Sequence, residues 1–391
     1  MPGALKTAYP HREQTVFPFG ARKLSNFCIF LTFNKNRIFT VWKMPPSIVF
    51  CQQNIDKIFV FCEHCRNLSQ NCKINLKIKP LEVPAEMEAI TRDFFLYLSK
   101  NSLLNKIAQN RGGSFAAGKL IGGVDFKSSV RFIRDLNNQG LSVTVDHLGE
   151  FVDSVEVANE RTEECISTIE MISKEGLDSQ VSLKMTSLGL DIDHDLVVKN
   201  MTRILETAEK HKIMVTIDME DVPRCQATID LFKQFKEKYS CVSTVLQAYL
   251  YRTEKDLEDL GKYQPFLRMV KGAYKESPEH AFPEKTDVDE NYKKLIEQSL
   301  LNGNYTAIAS HDDQIIEYTK ELAKKHNIPN DRFEFQMLYG MRNKTQLELA
   351  KQGYKMRVYV PYGMDWYGYF MRRLAERPAN IAFAFKGIFK K

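Results

Sequence analysis

From Met87 onward, apolar positions recur with two distinct periods. "MEAITRDFFLYLSKNSLLNKIAQN" (87–110) places Phe94, Phe95, Leu98, Leu103, Leu104 and Ile107 at helical spacing. A Gly-rich break, "GGSFAAGKLIGG", leads into a second helical stretch at 125–138. Short β-branched runs follow at 141–149, 181–189, 213–221, 242–250, 266–274, 305–312, 332–340 and 355–363. Amphipathic segments fill the gaps; 193–211, for example, aligns Leu196, Val197, Met201, Ile204, Leu205 and Ala208. Such alternation predicts a parallel sheet. Eight units in roughly 230 residues predict a closed (β/α)8 barrel of TIM type. An open doubly wound sheet competes, but no GxGxxG follows the first run.

Charge and cysteine divide the chain near the same place. Residues 1–86 hold 12 Lys+Arg against 5 Asp+Glu, whereas the remaining 305 hold 43 against 44. The net charge of +6 therefore belongs to the leading segment, and the larger part has no global electrostatic reason to bind nucleic acid. That segment has two glycines and no sustained period. It is expected to be a disordered or non-native extension ahead of a domain at 87–391, with a helical lead-in (87–140) and the barrel (141–391). Its "CEHC" at Cys62–Cys65 is a single CxxC without a second pair, too little for a structural zinc site. The domain's three scattered cysteines, Cys165, Cys225 and Cys241, suggest a reducing compartment. No apolar run approaches the length of a membrane-spanning helix, and "FCIFLTF" (27–33) lacks a cleavage site, so a cytoplasmic location is expected.

In barrels of this kind the chemistry sits at the C-terminal ends of the strands. Those ends hold Asp146, His147, Lys184, Asp218, Gln247, Arg268, Lys271, His311, Asp312, Gln336 and Tyr359. Burying so many polar groups for structure alone would be costly, so a ligand site is expected there. Lys184, Arg268 and Lys271, with Arg372 and Arg373 just beyond the last run, suit an anionic substrate, an anionic cofactor, or both. Three chemistries stay open on the residues alone. Lys184 could form a Schiff base. Asp146-His147 with His311-Asp312 could hold a metal, although clustered carboxylates and an HxH are missing. A redox cofactor is the third, and spacing cannot select it.

The runs "TIDMED", "LRMVKGAY", "ASHD", "FEFQMLYG" and "RVYVPYG", followed by "DWYGYFMRRLAERPAN", resemble monofunctional bacterial proline dehydrogenases. The resemblance covers about residues 88–391 and leaves 1–86 unmatched. It implies a distorted (β/α)8 barrel with N-terminal helices, the last helix laid over the barrel mouth, and FAD as cofactor. It also implies oxidation of L-proline at C5 by hydride transfer to the flavin N5, giving Δ1-pyrroline-5-carboxylate, the first step of proline degradation to glutamate. By the same resemblance Lys184, Arg372 and Arg373 bind the substrate carboxylate, and Tyr359 packs on its ring. Asp218 and Arg268 are the catalytic-site pair, with Arg268 near N5. Met219, Gln247, Val270, Lys271, Gly272, Ala273, Ser310, His311 and Gln336 contact FAD, and Tyr274 and Leu338 line the same pocket. No metal is implied. Electrons are expected to pass to membrane quinone, with peripheral association at the inner face of the cell membrane. The chain's length leaves no room for an aldehyde dehydrogenase, so a separate pyrroline-5-carboxylate dehydrogenase is expected to take the product. The alternatives are a dehydrogenase of hydroxyproline or another cyclic amino acid, and a redox-responsive binding protein on the same barrel.

Overall fold

The computed structural model describes residues 28–34, 37–44 and 121–376, with side chains described from 121 to 371. The helix expected at 87–110, the Gly-rich break up to residue 120 and the Cys62–Cys65 pair lie outside the described residues. The chain divides into two compact units, Met1–Glu82 and Val83–Lys391. The first contains an antiparallel hairpin of β1 (Cys28–Asn34) and β2 (Arg37–Met44).

The second unit contains the barrel. Helix α1 (Phe126–Asn138) opens on a capping box, in which Asp125 accepts the Ser128 N–H and Ser128 answers the Asp125 N–H. The order then runs β3 (Ser142–His147), α2 (Val155–Lys174), β4 (Ser179–Leu183), α3 (His194–His211), β5 (Val215–Ile217), α4 (Val222–Lys236), β6 (Val242–Gln247) and α5 (Thr253–Gly261). It continues with β7 (Phe266–Val270), α6 (Lys285–Leu301), β8 (Tyr305–Ala309), α7 (Asp313–Lys325), β9 (Phe333–Leu338), α8 (Asn343–Lys351), β10 (Met356–Tyr362) and α9 (Trp366–Glu376). Strands β3 to β10 are parallel neighbours in chain order, and β10 pairs with β3 to close the cylinder.

Register separates the two faces of the barrel wall. Val145 pairs with Val181, Val181 with Val215, and Val215 with Val242. This row, with Leu267, Met269, Phe335, Met337, Val358 and Val360, is buried and faces the helices. The alternate residues point inward and are unusually polar: Asp146, Ser182, Thr216, Gln247, Arg268, Glu334, Gln336 and Arg357 are all buried. Side chains on β4, β7 and β10 bond across the cylinder, which fixes that direction. The usual aliphatic filling of such a barrel is thus replaced by ion pairs.

The strands end earlier than the sequence pattern implies. The run at 181–189 stops at Leu183, and Met185–Leu188 forms a buried 3-10 turn. The run at 213–221 shrinks to Val215–Ile217. In the first, apolar side chains continue past the strand because the turn is packed as tightly as the sheet, whereas in the second only Met219 of residues 218–221 is apolar. Helix α9 lies over the mouth as expected: Trp366 packs with Ile121 and Leu148, and Tyr369 and Phe370 line the same cavity as the strand ends.

Candidate active site

Asp218, one residue past β5, gathers the polar groups of the mouth. Its Oδ1 accepts Ser182 Oγ at 2.7 Å and Arg268 Nη1 at 2.6 Å. Its Oδ2 accepts Tyr359 Oη at 2.9 Å and Lys184 Nζ at 3.5 Å. Lys184 also donates to Asp146 Oδ2 at 3.0 Å, and the Arg268 guanidinium stands 5.3 Å from the centre of the Tyr359 ring. Two carboxylates thus face two cations, a balanced set that burial tolerates because each charge is answered.

Burial alone would push the Asp218 carboxyl up, but Lys184 and Arg268 more than offset it and hold the group below its ordinary range. Asp146 goes the other way: burial dominates, Lys184 opposes it, and the carboxyl sits above its ordinary range. Burial would lower Lys184, yet Asp146, Tyr359 and Asp218 keep its ammonium well above the usual value. A lysine paired as a cation with two carboxylates is the opposite of what a Schiff-base nucleophile requires, so that reading is set aside.

These groups floor a cavity of about 920 Å³, large even among cofactor sites. Lys184, Asp218, Met219, Gln247, Arg268, Val270, Lys271, Gly272, Ala273, Ser310, His311, Gln336 and Tyr359 all line it, as do Tyr274 and Leu338. Among the described residues, three buried atoms on the wall have no partner: Nε and Nη2 of Arg268, and Oε1 of Gln247. Leaving such groups unanswered is expensive, and both residues line the cavity, which makes them candidates to meet a ligand. On the β7 side, Gly272 has φ of +119°, and a Cβ there would meet the Tyr249 ring. Lys271 donates to Asp289 and, at 2.9 Å, to Asp312 Oδ2. His311 Nε2 accepts the Leu338 N–H at 3.0 Å, which places the proton of a neutral ring on Nδ1.

The proposed metal ligands are otherwise engaged. Asp146 holds Lys184, Asp312 holds Lys271, and His311 holds a backbone N–H. His147 points out of the barrel, where it stacks on Tyr362 and meets Arg161 and Glu164. Among the described residues no group of three His, Cys, Asp or Glu side chains could hold a metal ion. Arg372 and Arg373 fall within α9, and their side chains lie outside the described residues. Asp146 was reached only as a rim position, and Ser182, Tyr369 and Phe370 were missed. Ser182 has a strand-phase signal, standing two residues before Lys184 on the same face.

Fold and site together define a (β/α)8-barrel enzyme whose mouth holds an ion-paired polar floor beneath a large ligand cavity. The proline dehydrogenase family profile matches residues 129–385, and the chain belongs to that family. It is 73% identical over 302 residues to proline dehydrogenase 2 of Bacillus subtilis strain 168, covering 77% of this chain and 100% of that protein. Identity to the proline dehydrogenase of Deinococcus radiodurans is 38% over 309 residues, covering 78% of this chain and 99% of that one. Among solved structures, proline utilization A (PutA) from Bdellovibrio bacteriovorus, inactivated by N-propargylglycine, aligns with a TM-score of 0.64 at 23% identity. That likeness, over 76% of this chain and 38% of PutA, concerns the fold. Among the described residues no helix is long and apolar enough to cross a membrane.

Proposed function

We propose that this enzyme oxidises L-proline at ring C5 to Δ1-pyrroline-5-carboxylate with FAD as its cofactor. The observation that carries the reading is the set of unanswered buried atoms on the cavity wall, the Arg268 N–H groups and the Gln247 carbonyl, beside a charge-balanced floor. They fit a flat ring that presents acceptors together with an N–H donor, which is the chemistry of the flavin edge. The cavity volume of about 920 Å³ leaves room for a ligand of that size. When bound, FAD supplies the hydride acceptor at N5, so no protein nucleophile is required.

The chain's own residues then divide the remaining work. Lys184, with Arg372 and Arg373 of α9, would hold the proline carboxylate through charge-assisted hydrogen bonds of about 1.5–3 kcal/mol each. Tyr359, tied to Asp218, would pack on the ring and limit its size. Asp218 holds Lys184, Arg268 and Tyr359 in register, and the Arg268 charge would favour an electron-rich reduced ring beside it. Lys271, Gly272, Ala273, Ser310, His311 and Gln336 would line the cofactor's length, with Met219, Gln247 and Val270 at its ring. Tyr369 and Phe370, which line the cavity, would help cover the mouth against water. The electrons would pass to membrane quinone from an enzyme peripheral to the cytoplasmic face, and a separate pyrroline-5-carboxylate dehydrogenase would take the product. Residues 1–86 would be dispensable, so 87–391 alone should fold and turn over like the full chain.

The direct test is the flavin spectrum of the purified protein and its bleaching by L-proline without oxygen. A colourless protein, or a flavin that proline leaves oxidised, would overturn the reading. Arg373→Ala should raise the KM for proline far more than it lowers FAD content.

A further inference from the structure

The chain leaving β5 carries a second carboxylate that takes no part in the floor of the site. Glu220 is fully buried, with 0% of its surface exposed. Its Oε1 accepts the Thr186 N–H at 3.1 Å, and its Oε2 accepts the Thr186 hydroxyl at 2.5 Å. Thr186 lies in the 3-10 turn that Lys184 begins, and Ser187 closes that turn by donating from N and Oγ to the Lys184 carbonyl. The same Thr186 hydroxyl oxygen accepts the Phe151 N–H at 3.1 Å, and the Thr186 carbonyl accepts the Val152 N–H at 3.4 Å. Phe151 stands at φ of +58°, a strained setting for an aromatic residue, so its conformation depends on the contacts around it. On the other side, Gln247 donates to the carbonyls of Met219 and Glu220. One carboxylate therefore ties together the chain segments leaving β3, β4 and β5. Two of these segments place charges on the cavity, Glu150 and Lys184.

We propose that Glu220 is a positioning residue for substrate binding. Through Thr186 its ionised carboxylate sets the Lys184 ammonium and the 148–152 segment against the cavity. The inference rests on the proposed proline-oxidising site. Its chemical basis is donor counting: a carboxylate accepts both Thr186 donors, whereas a carboxylic acid must also place its own O–H. The Thr186 oxygen is the acceptor beside it, so protonation would turn that hydroxyl away and reverse the bond. The charged groups facing Glu220 from neighbouring elements are Lys184 beyond β4, which favours its ionisation, and Glu150 beyond β3, which opposes it. Burial is the larger influence and pushes the carboxyl up to about 7, against the Thr186 donors and Lys184. The reversal thus falls in the neutral range.

The test measures KM and kcat for L-proline from pH 5.5 to 9 on the FAD-loaded full chain, comparing the parent with Glu220→Gln, Thr186→Val and Thr186→Ser. Thr186→Val should raise KM about tenfold while kcat stays within about threefold, and Thr186→Ser should restore the parent value. In the parent, KM should fall as pH rises through about 7, and in Glu220→Gln that step should be gone. Variants whose KM and pH step match the parent would overturn the inference while leaving proline oxidation standing. Equal losses in kcat and KM that Thr186→Ser does not rescue would overturn it too, by making the contact merely structural. A parent that proline fails to reduce would sink the proposed function itself. Should Glu220→Gln fail to fold, the Thr186 pair still decides.

Discussion

The barrel interior holds buried ion pairs at both ends, and they are built differently. Near the strand starts, Glu334 of β9 meets Arg357 of β10, with Nε on Oε1 at 2.7 Å and Nη2 on Oε2 at 3.2 Å. Gln336 and Tyr305 donate to the same carboxylate, and Arg357 Nη1 donates to the Val143 carbonyl at 2.8 Å. Every group of that pair is answered by protein. At the mouth, Asp218 is equally saturated, but Arg268 keeps two buried nitrogens without a partner. A pair that serves only structure completes its own hydrogen bonding, whereas a pair that serves a ligand keeps donors without a protein partner. The difference lies in these open donors, since charge meets opposite charge at both ends.

The largest expected effect breaks the closed pair. Arg357→Ala strands a fully buried Glu334 carboxylate and should destabilise the fold by about 3–5 kcal/mol in urea unfolding. The double variant Glu334→Met/Arg357→Leu removes both charges and should recover most of that loss. Were the double as unstable as the single, the pair would be contributing something beyond its mutual neutralisation. Acid should act in the same direction. Burial would raise Glu334, but Arg357 and Gln336 outweigh it and hold the carboxyl below its ordinary range. Its stabilising share is therefore present above the unfolded carboxyl value near 4.5 and lost as pH falls below that.

Breaking the open pair should cost function more than stability. Arg268→Met removes the unpartnered donors and one partner of Asp218. It should lower flavin reduction by proline by about a hundredfold or more, with FAD content reduced as well. Normal FAD content and normal reduction in this variant would remove Arg268 from the chemistry and collapse the distinction between the two ends.

This contrast explains what could be read from the chain. The eight strands were legible because their outward residues, such as Val143, Val145, Val358 and Val360, alternate against helices of 9 to 20 residues. Strand ends were not, because Met185 and Leu188 are as apolar and as buried in a turn as they would be in a strand. At the mouth, position alone reached Asp218, Arg268 and Tyr359, since ionisable residues at strand ends stand out in a parallel sheet. Glu334 and Arg357 sit near strand starts, 23 residues apart, and only the parallel register of β9 with β10 brings them together. Glu220 carries a weak signal, lying two residues beyond Asp218, but its partner Thr186 is 34 residues away.

Glu220 and Glu334 also make opposite predictions about pH. The Glu220 carboxyl is raised to about 7 from 4.5, so the native state holds its proton more tightly than the unfolded chain does. Its contribution to stability is full below about 4.5 and is lost as pH rises toward 7. Glu220→Gln should therefore gain on the parent between pH 5 and 8, by on the order of 2–3 kcal/mol. Thermal unfolding across that range would show it. A constant difference between the two proteins would mean that Glu220 does not titrate in the native state.

The smallest effect concerns what the open pair recognises. Tyr359→Phe deletes one donor to Asp218 Oδ2 and keeps the ring, so kcat/KM for proline should fall only about fivefold. Truncation differs from deletion of the hydroxyl, because Tyr359 packs under Arg268 and narrows the space above Asp218. If Tyr359 excludes a ring substituent, the parent should turn over proline faster than trans-4-hydroxyproline, and Tyr359→Ser should narrow that ratio. Tyr359→Phe should leave the ratio where it was, since bulk rather than the hydroxyl sets it. Faster turnover of hydroxyproline by the parent would reverse the choice of substrate while leaving the open cation and its role at the cavity wall untouched.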